Sequence, residues 1–249
     1  MSGAEGRGVE LCTRFSYITN SLCYCGPKGA HEMFLQYAKS KEKKKEEEDN
    51  VRNELLRFEG LPPYLQAIAE ENHLDPFDEK VVEAYWIGNE LLERCSSETC
   101  KKVIRKLMQR GLPESLGKRL IEKMPEGMVP HHNFNVFYVG VGNTSGKVPT
   151  TLQNMDNCRV SWGKVLSIEP GSLIVETQTL TEEHEGNREN KKVAIKEGET
   201  KTAVYLKEFL PDVEHGDVVA MHWGFAGMKM TEEQRSSLEK YTKKIIRLL

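Results

Sequence analysis

The apolar period of this chain of 249 residues changes near Gly127 and returns to a helical one only after Thr231. Up to Met124 the apolar side chains recur at three- and four-residue spacing, as one face of a helix requires. Beyond Gly127 short runs with alternating or continuous apolar residues take over, separated by polar turns, as strands require. The fold class that follows is α+β: a mostly helical N-terminal domain followed by a small β-barrel with a C-terminal helix. The boundaries fall at 1–127 for the helical domain, 128–150 for a strand and Gly-rich connector, and 151–249 for the β module.

Within the first part, residues 9–40 read as helix, turn and helix, broken at Cys23-Tyr-Cys-Gly-Pro27. Residues 39–50 contain no apolar side chain, and the lysines mostly precede the glutamates, the weaker order for pairing along a helix; a charged, solvated loop or a frayed extension of the preceding helix is expected. Asp78 is expected to cap a helix whose stripe runs Val81, Tyr85, Leu92 and Cys95, with Val82 and Trp86 beside it; Tyr85 and Trp86 read as core, with pocket lining as the alternative. Ser96 and Ser97 offer a cap for the next helix, and Pro113 stands near the start of another. From Pro130 to Val139 the alternation predicts a strand that points His131 and His132 to opposite faces.

The β module is expected to hold strands at Val165–Ile168, Leu173–Thr177, Lys192–Ile195, Thr202–Leu206 and Asp217–His222. A Pro-Gly turn joins the first two, a charged tip spans Thr181–Asn190, and turns are expected at Gly224 and Gly227. Thr231 and Gln234 form a capping box for a final helix, whose Leu238, Tyr241, Ile245 and Leu248 are expected to pack on the barrel.

Composition limits the function. Hydrophobic residues make up 38%, enough for a core, and the net charge of −3 supplies no basic field for nucleic acid. No window approaches a membrane span and the N-terminus lacks the apolar core of a secretory signal, so a cytoplasmic protein with no membrane partner is expected. Six cysteines without a paired zinc-finger spacing fit a reduced protein with a few functional thiols.

Two stretches carry the chemistry. Asn157-Cys158-Arg-Val-Ser-Trp-Gly-Lys-Val165 sets a lone cysteine before a strand, with Gly163 where the backbone can be approached closely. Gly216-Asp-Val-Val-Ala-Met-His-Trp-Gly-Phe-Ala226 delivers His222 at the end of another strand. A thiolate and an imidazole brought together this way suit a transition metal such as iron or zinc. Secondary candidates are Cys23, Cys25, His131 and His132, as ligands, thiols or bases.

On these residues the C-terminal part resembles the HypC/HupF family of [NiFe]-hydrogenase maturation chaperones, over about residues 155–249. Cys158, Gly163, Lys164 and Val165 stand at positions of the family's first motif. Gly216, Asp217, Val219, His222, Gly224, Phe225 and Ala226 stand at positions of its second. The resemblance implies an OB-like barrel and gives Cys158 and His222 the role of iron ligands. It further implies an iron fragment carrying cyanide and carbonyl ligands, with a HypD-like scaffold and a hydrogenase large subunit as partners. The chain departs from the family in three ways: Cys158 is internal, Trp162 replaces a proline, and the segment from Leu180 to Lys201 is longer and more charged. The whole chain also resembles an uncharacterised prokaryotic family sharing Tyr-Cys-Gly-Pro, His-His-x-Phe and Cys-Arg-x-x-Trp-Gly motifs.

The expected function is therefore a maturation accessory protein, or metallochaperone, that holds iron through Cys158 and His222, with zinc as the alternative metal. The rival is a metal- or thiol-dependent enzyme with its site between the two parts, using His132 as base and Cys25 or Cys158 as nucleophile or ligand.

Overall fold

Helix α1 (Gly3–Ser21) is the seam of the molecule in the computed structural model, which describes residues 3–184 and 191–249. It buries Val9, Cys12, Phe15, Ser16 and Thr19 at helical spacing against the neighbouring helices. Gly8 lets its backbone pass close to the turn at Phe77, where a Cβ would stand 1.9 Å from the Phe77 carbonyl oxygen. Arg14 on the same helix donates to the backbone carbonyls of Phe209 and Gly227 in the β module.

Around α1 lie α2 (Ala30–Lys39), α3 (Lys45–Leu56), α4 (Leu61–Asn72) and α5 (Glu79–Trp86). Then come α6 (Ser97–Met108) and α7 (Glu114–Glu122). Asp78 caps α5 through the Lys80 amide, and Ser96 with Thr99 forms a capping box on α6. Two expectations fail here. The charged stretch 39–50 is helical from Lys45 onward, because Glu46, Glu47 and Glu48 sit at the positive end of the helix dipole and Val51 and Leu55 anchor the next turns in the core. The stripe from Val81 to Cys95 is not one helix: α5 stops at Trp86, Gly88 takes φ 94°, and a 3-10 turn (Glu90–Arg94) follows. The break lets Tyr241 pack on Gly88, where a Cβ would lie 2.3 Å from the ring.

The strand expected from Pro130 to Val139, and with it the strand part of the 128–150 connector, is also overturned. That segment is a short turn of helix, α8 (His132–Phe134), continued by a π-helical stretch (Asn135–Gly140). His132, Asn133, Phe134, Val136, Phe137 and Val139 are all buried. Within 131–140 only Asn135 and Tyr138 are partly exposed, three residues apart as on a helix, so the apolar alternation does not mark a two-faced strand. The His131 ring caps the turn, its Nδ1 accepting from the Asn133 amide at 3.0 Å.

After α9 (Leu152–Cys158) the strands begin: β1 (Ser161–Glu169), β2 (Ser172–His184), β3 (Lys191–Val204), β4 (Val218–His222) and β5 (Phe225–Lys229). They close in the order β1-β2-β3-β5-β4, antiparallel except for the β3–β5 step, a single parallel pairing of Val204 with Phe225. Gly163 on β1 is a true close approach, since a Cβ there would meet Val175 at 2.9 Å and Met221 at 3.0 Å. The two strands expected at Lys192–Ile195 and Thr202–Leu206 are one strand, its register shift matched by a bulge between Thr177 and Thr179. β2 runs on through Thr181 to His184, so the charged tip expected over 181–190 begins as strand; residues 185–190 lie outside the described ones. β5 replaces the turn expected at Gly227, which lacks a side chain because Arg14 of α1 lies against it, a Cβ standing 3.0 Å from its carbonyl oxygen.

The final helix, α10 (Glu232–Arg247), carries the expected Thr231–Gln234 capping box. Its buried face turns mainly to the helical part rather than to the barrel. The Tyr241 hydroxyl donates to the Asn89 carbonyl at 2.9 Å, and Thr242 accepts from Asn133 at 2.7 Å. Toward the barrel, Arg235 of this helix lies over the Trp162 ring.

Candidate metal centre

Three elements bring three donor atoms together. Cys158 ends α9, His132 opens α8, and His222 ends β4; one ligand atom from each lies within 4.8 Å of the others. The Cys158 Sγ stands 3.8 Å from His132 Nε2 and 3.9 Å from His222 Nε2. Metal–sulfur and metal–nitrogen bonds of about 2.3 and 2.05 Å at a tetrahedral angle separate S and N by about 3.6 Å. The two sulfur–nitrogen distances are within a few tenths of an ångström of that value, whereas two nitrogens on such an ion would stand about 3.3 Å apart, so the two histidines, held within 4.8 Å, would have to close on the ion. Three protein ligands would leave a fourth position open.

Local structure fixes each donor. The sequence between β4 and β5 makes a two-residue turn in which Trp223 (φ 52°) and Gly224 (φ 69°) are both left-handed, and His222 pairs directly with Phe225. The strained Trp223 is tied by its amide to the Asn157 carbonyl at 2.6 Å, next to Cys158. Asn133 links α8 to the chain just past Cys158: its amide nitrogen donates to Thr242, and its oxygen accepts from the Val160 amide at 3.1 Å. Arg159, buried and next to Cys158, donates to Asp156 at 2.9 Å and to the Gln178 carbonyl at 2.9 Å. Asp156 also accepts from Lys201, Thr179 and the Leu180 amide, so α9 is latched to β2 and β3.

The outer ring nitrogens have unlike partners. His222 Nδ1–H donates to the Phe15 carbonyl of α1 at 3.0 Å, which leaves Nε2 as a lone pair aimed at Cys158. His132 Nε2–H donates to the Cys158 carbonyl at 2.9 Å, and the Tyr85 hydroxyl donates to its Nδ1 at 2.9 Å. Trp86 covers both rings, 4.5 Å from His132 and 5.3 Å from His222 between centroids.

Burial governs the protonation of this group. It pushes the Cys158 thiol well above its usual value, with Cys25 adding to the rise and Trp223 opposing it. It lowers His222 to about 4, against the opposing Phe15 and Cys158 carbonyls, and lowers His132 further with help from His222. The site is thus a neutral thiol beside two neutral imidazoles, not a thiolate–imidazolium pair.

A cavity of about 60 Å³ adjoins the three donors. Cys25, Tyr85, Trp86 and Trp223 line it, with the Gly-rich loop contributing Gly142 and Ser145. A family of unknown function, DUF6390, matches residues 4–249. The chain belongs to that family. No curated protein and no solved structure matches it.

In this DUF6390 protein the expected residues divide. Cys158 and His222 come together, and His132 joins them from the helical part. His131 turns away to cap α8 and stacks toward Tyr241 at 6.2 Å. Cys25 lines the cavity outside the three-residue group, and Cys23 is exposed in a left-handed turn. Gly216 (φ 89°) shapes the turn into β4, Lys164 is exposed on β1, and Phe225 packs under Tyr17 and Phe209. Tyr85 and Trp86, expected first as core and second as pocket lining, surround the histidines and line the cavity. Their adjacency was the one available signal, because neighbouring helical residues diverge and cannot share one core stripe equally.

Proposed function

We propose that the protein holds one transition-metal ion at His132, Cys158 and His222 and serves as a hydrogenase-maturation-like accessory protein that receives or passes on an iron fragment. The metal part rests on one observation: three buried donors, drawn from distant parts of the chain, with ligand atoms within 4.8 Å. A buried neutral cluster of one thiol and two imidazoles suits a borderline or soft ion, which replaces the thiol proton on binding.

The iron-fragment part is supported by the HypC/HupF resemblance of residues 155–249, and by a strand order, β1-β2-β3-β5-β4, that fits an OB-like barrel. A thiolate donates strongly to a low-valent iron with π-acceptor ligands. The HypD-like scaffold and hydrogenase large subunit are proposed as partners on that resemblance alone. His132 lies outside the resembling segment, so here the helical half would complete the grip that the barrel begins.

Anaerobic purification from the native host, followed by metal analysis and infrared spectroscopy, tests this function. About one iron per chain, with cyanide and carbonyl stretches lost in Cys158→Ala, is expected. Zinc, or iron without those stretches, contradicts the carrier role. It would favour the second reading, a metal-dependent enzyme, for which the specific observation is a cavity of about 60 Å³ lined by His132, Cys158 and His222 together. A thiol-nucleophile enzyme is disfavoured, because burial holds Cys158 as the neutral thiol.

A further inference from the structure

We infer that His132 is a releasable ligand and that Tyr85 is the positioning residue that lets it bind and let go without stranding a buried ring nitrogen. This rests on the metal-holding function proposed above and concerns how that site would be opened. His132 and His222 offer the same atom, Nε2, to the Cys158 side. Their outer nitrogens differ. The Phe15 carbonyl on His222 can only accept, so the proton stays on Nδ1 and Nε2 remains a lone pair whether or not it coordinates. His222 is a fixed ligand.

On His132 the Nδ1 partner is a hydroxyl, which can donate or accept, and the Nε2 partner is the Cys158 carbonyl, which can only accept. Two arrangements therefore satisfy the ring. In the released one, seen here, Nε2–H donates to Cys158 and Tyr85 donates to Nδ1. In the ligating one the imidazole proton sits on Nδ1 and donates to the Tyr85 oxygen, Nε2 is bare, and the Tyr85 hydroxyl proton turns into the cavity that the residue lines. One proton moves from Nε2 to Nδ1, and the ring stays neutral. No side chain other than a hydroxyl serves both arrangements as sparingly: phenylalanine leaves Nδ1–H without an acceptor and so holds His132 in the released form.

Zinc titration of the full chain against a competing chelator, with nitrogen-15 NMR of the histidine tautomers, tests the inference. The wild type is expected to show His132 as the Nε2–H tautomer without zinc and Nδ1–H with it, while His222 stays Nδ1–H throughout. Tyr85→Phe is expected to bind zinc about 10- to 100-fold more weakly, the usual cost of losing an outer partner of a metal ligand. It should approach His132→Ala, and the double variant should be no worse than His132→Ala. A Tyr85→Phe affinity within about threefold of wild type, or His132 already Nδ1–H without zinc, overturns the ligand switch while the metal function stands. Should Tyr85→Phe fail to fold, the wild-type tautomers decide alone. A wild type that binds no zinc overturns the switch and the zinc-competent site together, a result distinct from tight binding with an unchanged tautomer.

Discussion

Burial acts on both kinds of donor at this site in the same sense, toward neutrality. It raises the cysteine and lowers the histidines, so the three groups carry no charge until a cation enters. The cost appears in acid. His131 and His222 are each brought from 6.5 to about 4, so between those values the unfolded chain binds protons that the folded chain refuses. Their stability contribution is complete above about pH 6.5, is lost as pH falls toward about 4, and changes little below that. Each is worth at most about 3 kcal/mol. Urea unfolding without metal at a series of pH values from 7.5 to about 4.5 should show a steady fall in stability over this window, before most carboxylates protonate. A flat profile would contradict burial of the histidines as neutral rings. The three candidate donors were unequally legible in sequence. Cys158 and His222 stand in motifs, whereas His132 could be named only as one of two adjacent histidines. Choosing between them requires knowing that His131 is spent on the Asn133 amide.

At the scale of elements, what holds the donors in place is a set of short polar latches. The strongest joins α9 to the barrel through Asp156, which accepts from Arg159, Lys201, Thr179 and the Leu180 amide. Asp156→Ala leaves Arg159 charged and buried without its partner, and a loss of about 3–5 kcal/mol is expected from chemical denaturation. A loss below about 1 kcal/mol would show that Arg159 finds water instead. Gly163→Ala tests the close approach inside the barrel. Its Cβ would crowd Val175 and Met221, and about 1–3 kcal/mol of destabilisation is expected in the same measurement. An unchanged midpoint would mean that the flexible Met221 yields. Capping signals were readable, as Asp78, Ser96 and Thr231 show. The 130–139 segment was not, because with only Asn135 and Tyr138 partly exposed it has too little solvent face for a period to show. β5 was missed for a related reason: Gly227 signals a turn in sequence but serves a contact with α1.

At the scale of the whole molecule, one core runs from the helices into the barrel side. It includes Val9, Phe15 and Trp86 together with Cys158, Val160, Ala220 and Ile245, while a second cluster fills the barrel interior. α1 and α10 both cross between the parts, so thermal unfolding without metal is expected as a single transition seen alike by far- and near-ultraviolet circular dichroism. Two separated transitions would show that the parts are independent. The direction of α10 illustrates what the sequence withholds: its apolar stripe is plain, but its partner depends on Gly88 and Asn89, far away in the chain. The overall α+β division was legible from the change of period, although the strands begin only at Ser161, after α8, the π-helical stretch and α9. No helix among the described residues is long and apolar enough to cross a membrane.

The central claim is that residues from both parts of the chain form one metal centre. Cobalt(II) titration under anaerobic conditions, followed by visible absorption, tests it most directly, because cobalt reports thiolate ligation and coordination number together. The wild type is expected to saturate at one cobalt per chain, with a sulfur-to-metal charge-transfer band and the intense d–d envelope of a four-coordinate ion. Cys158→Ala should lose the charge-transfer band, and His132→Ala and His222→Ala should each weaken the d–d envelope. A wild type with no saturable spectrum, or a His132→Ala spectrum identical to it, would contradict the account.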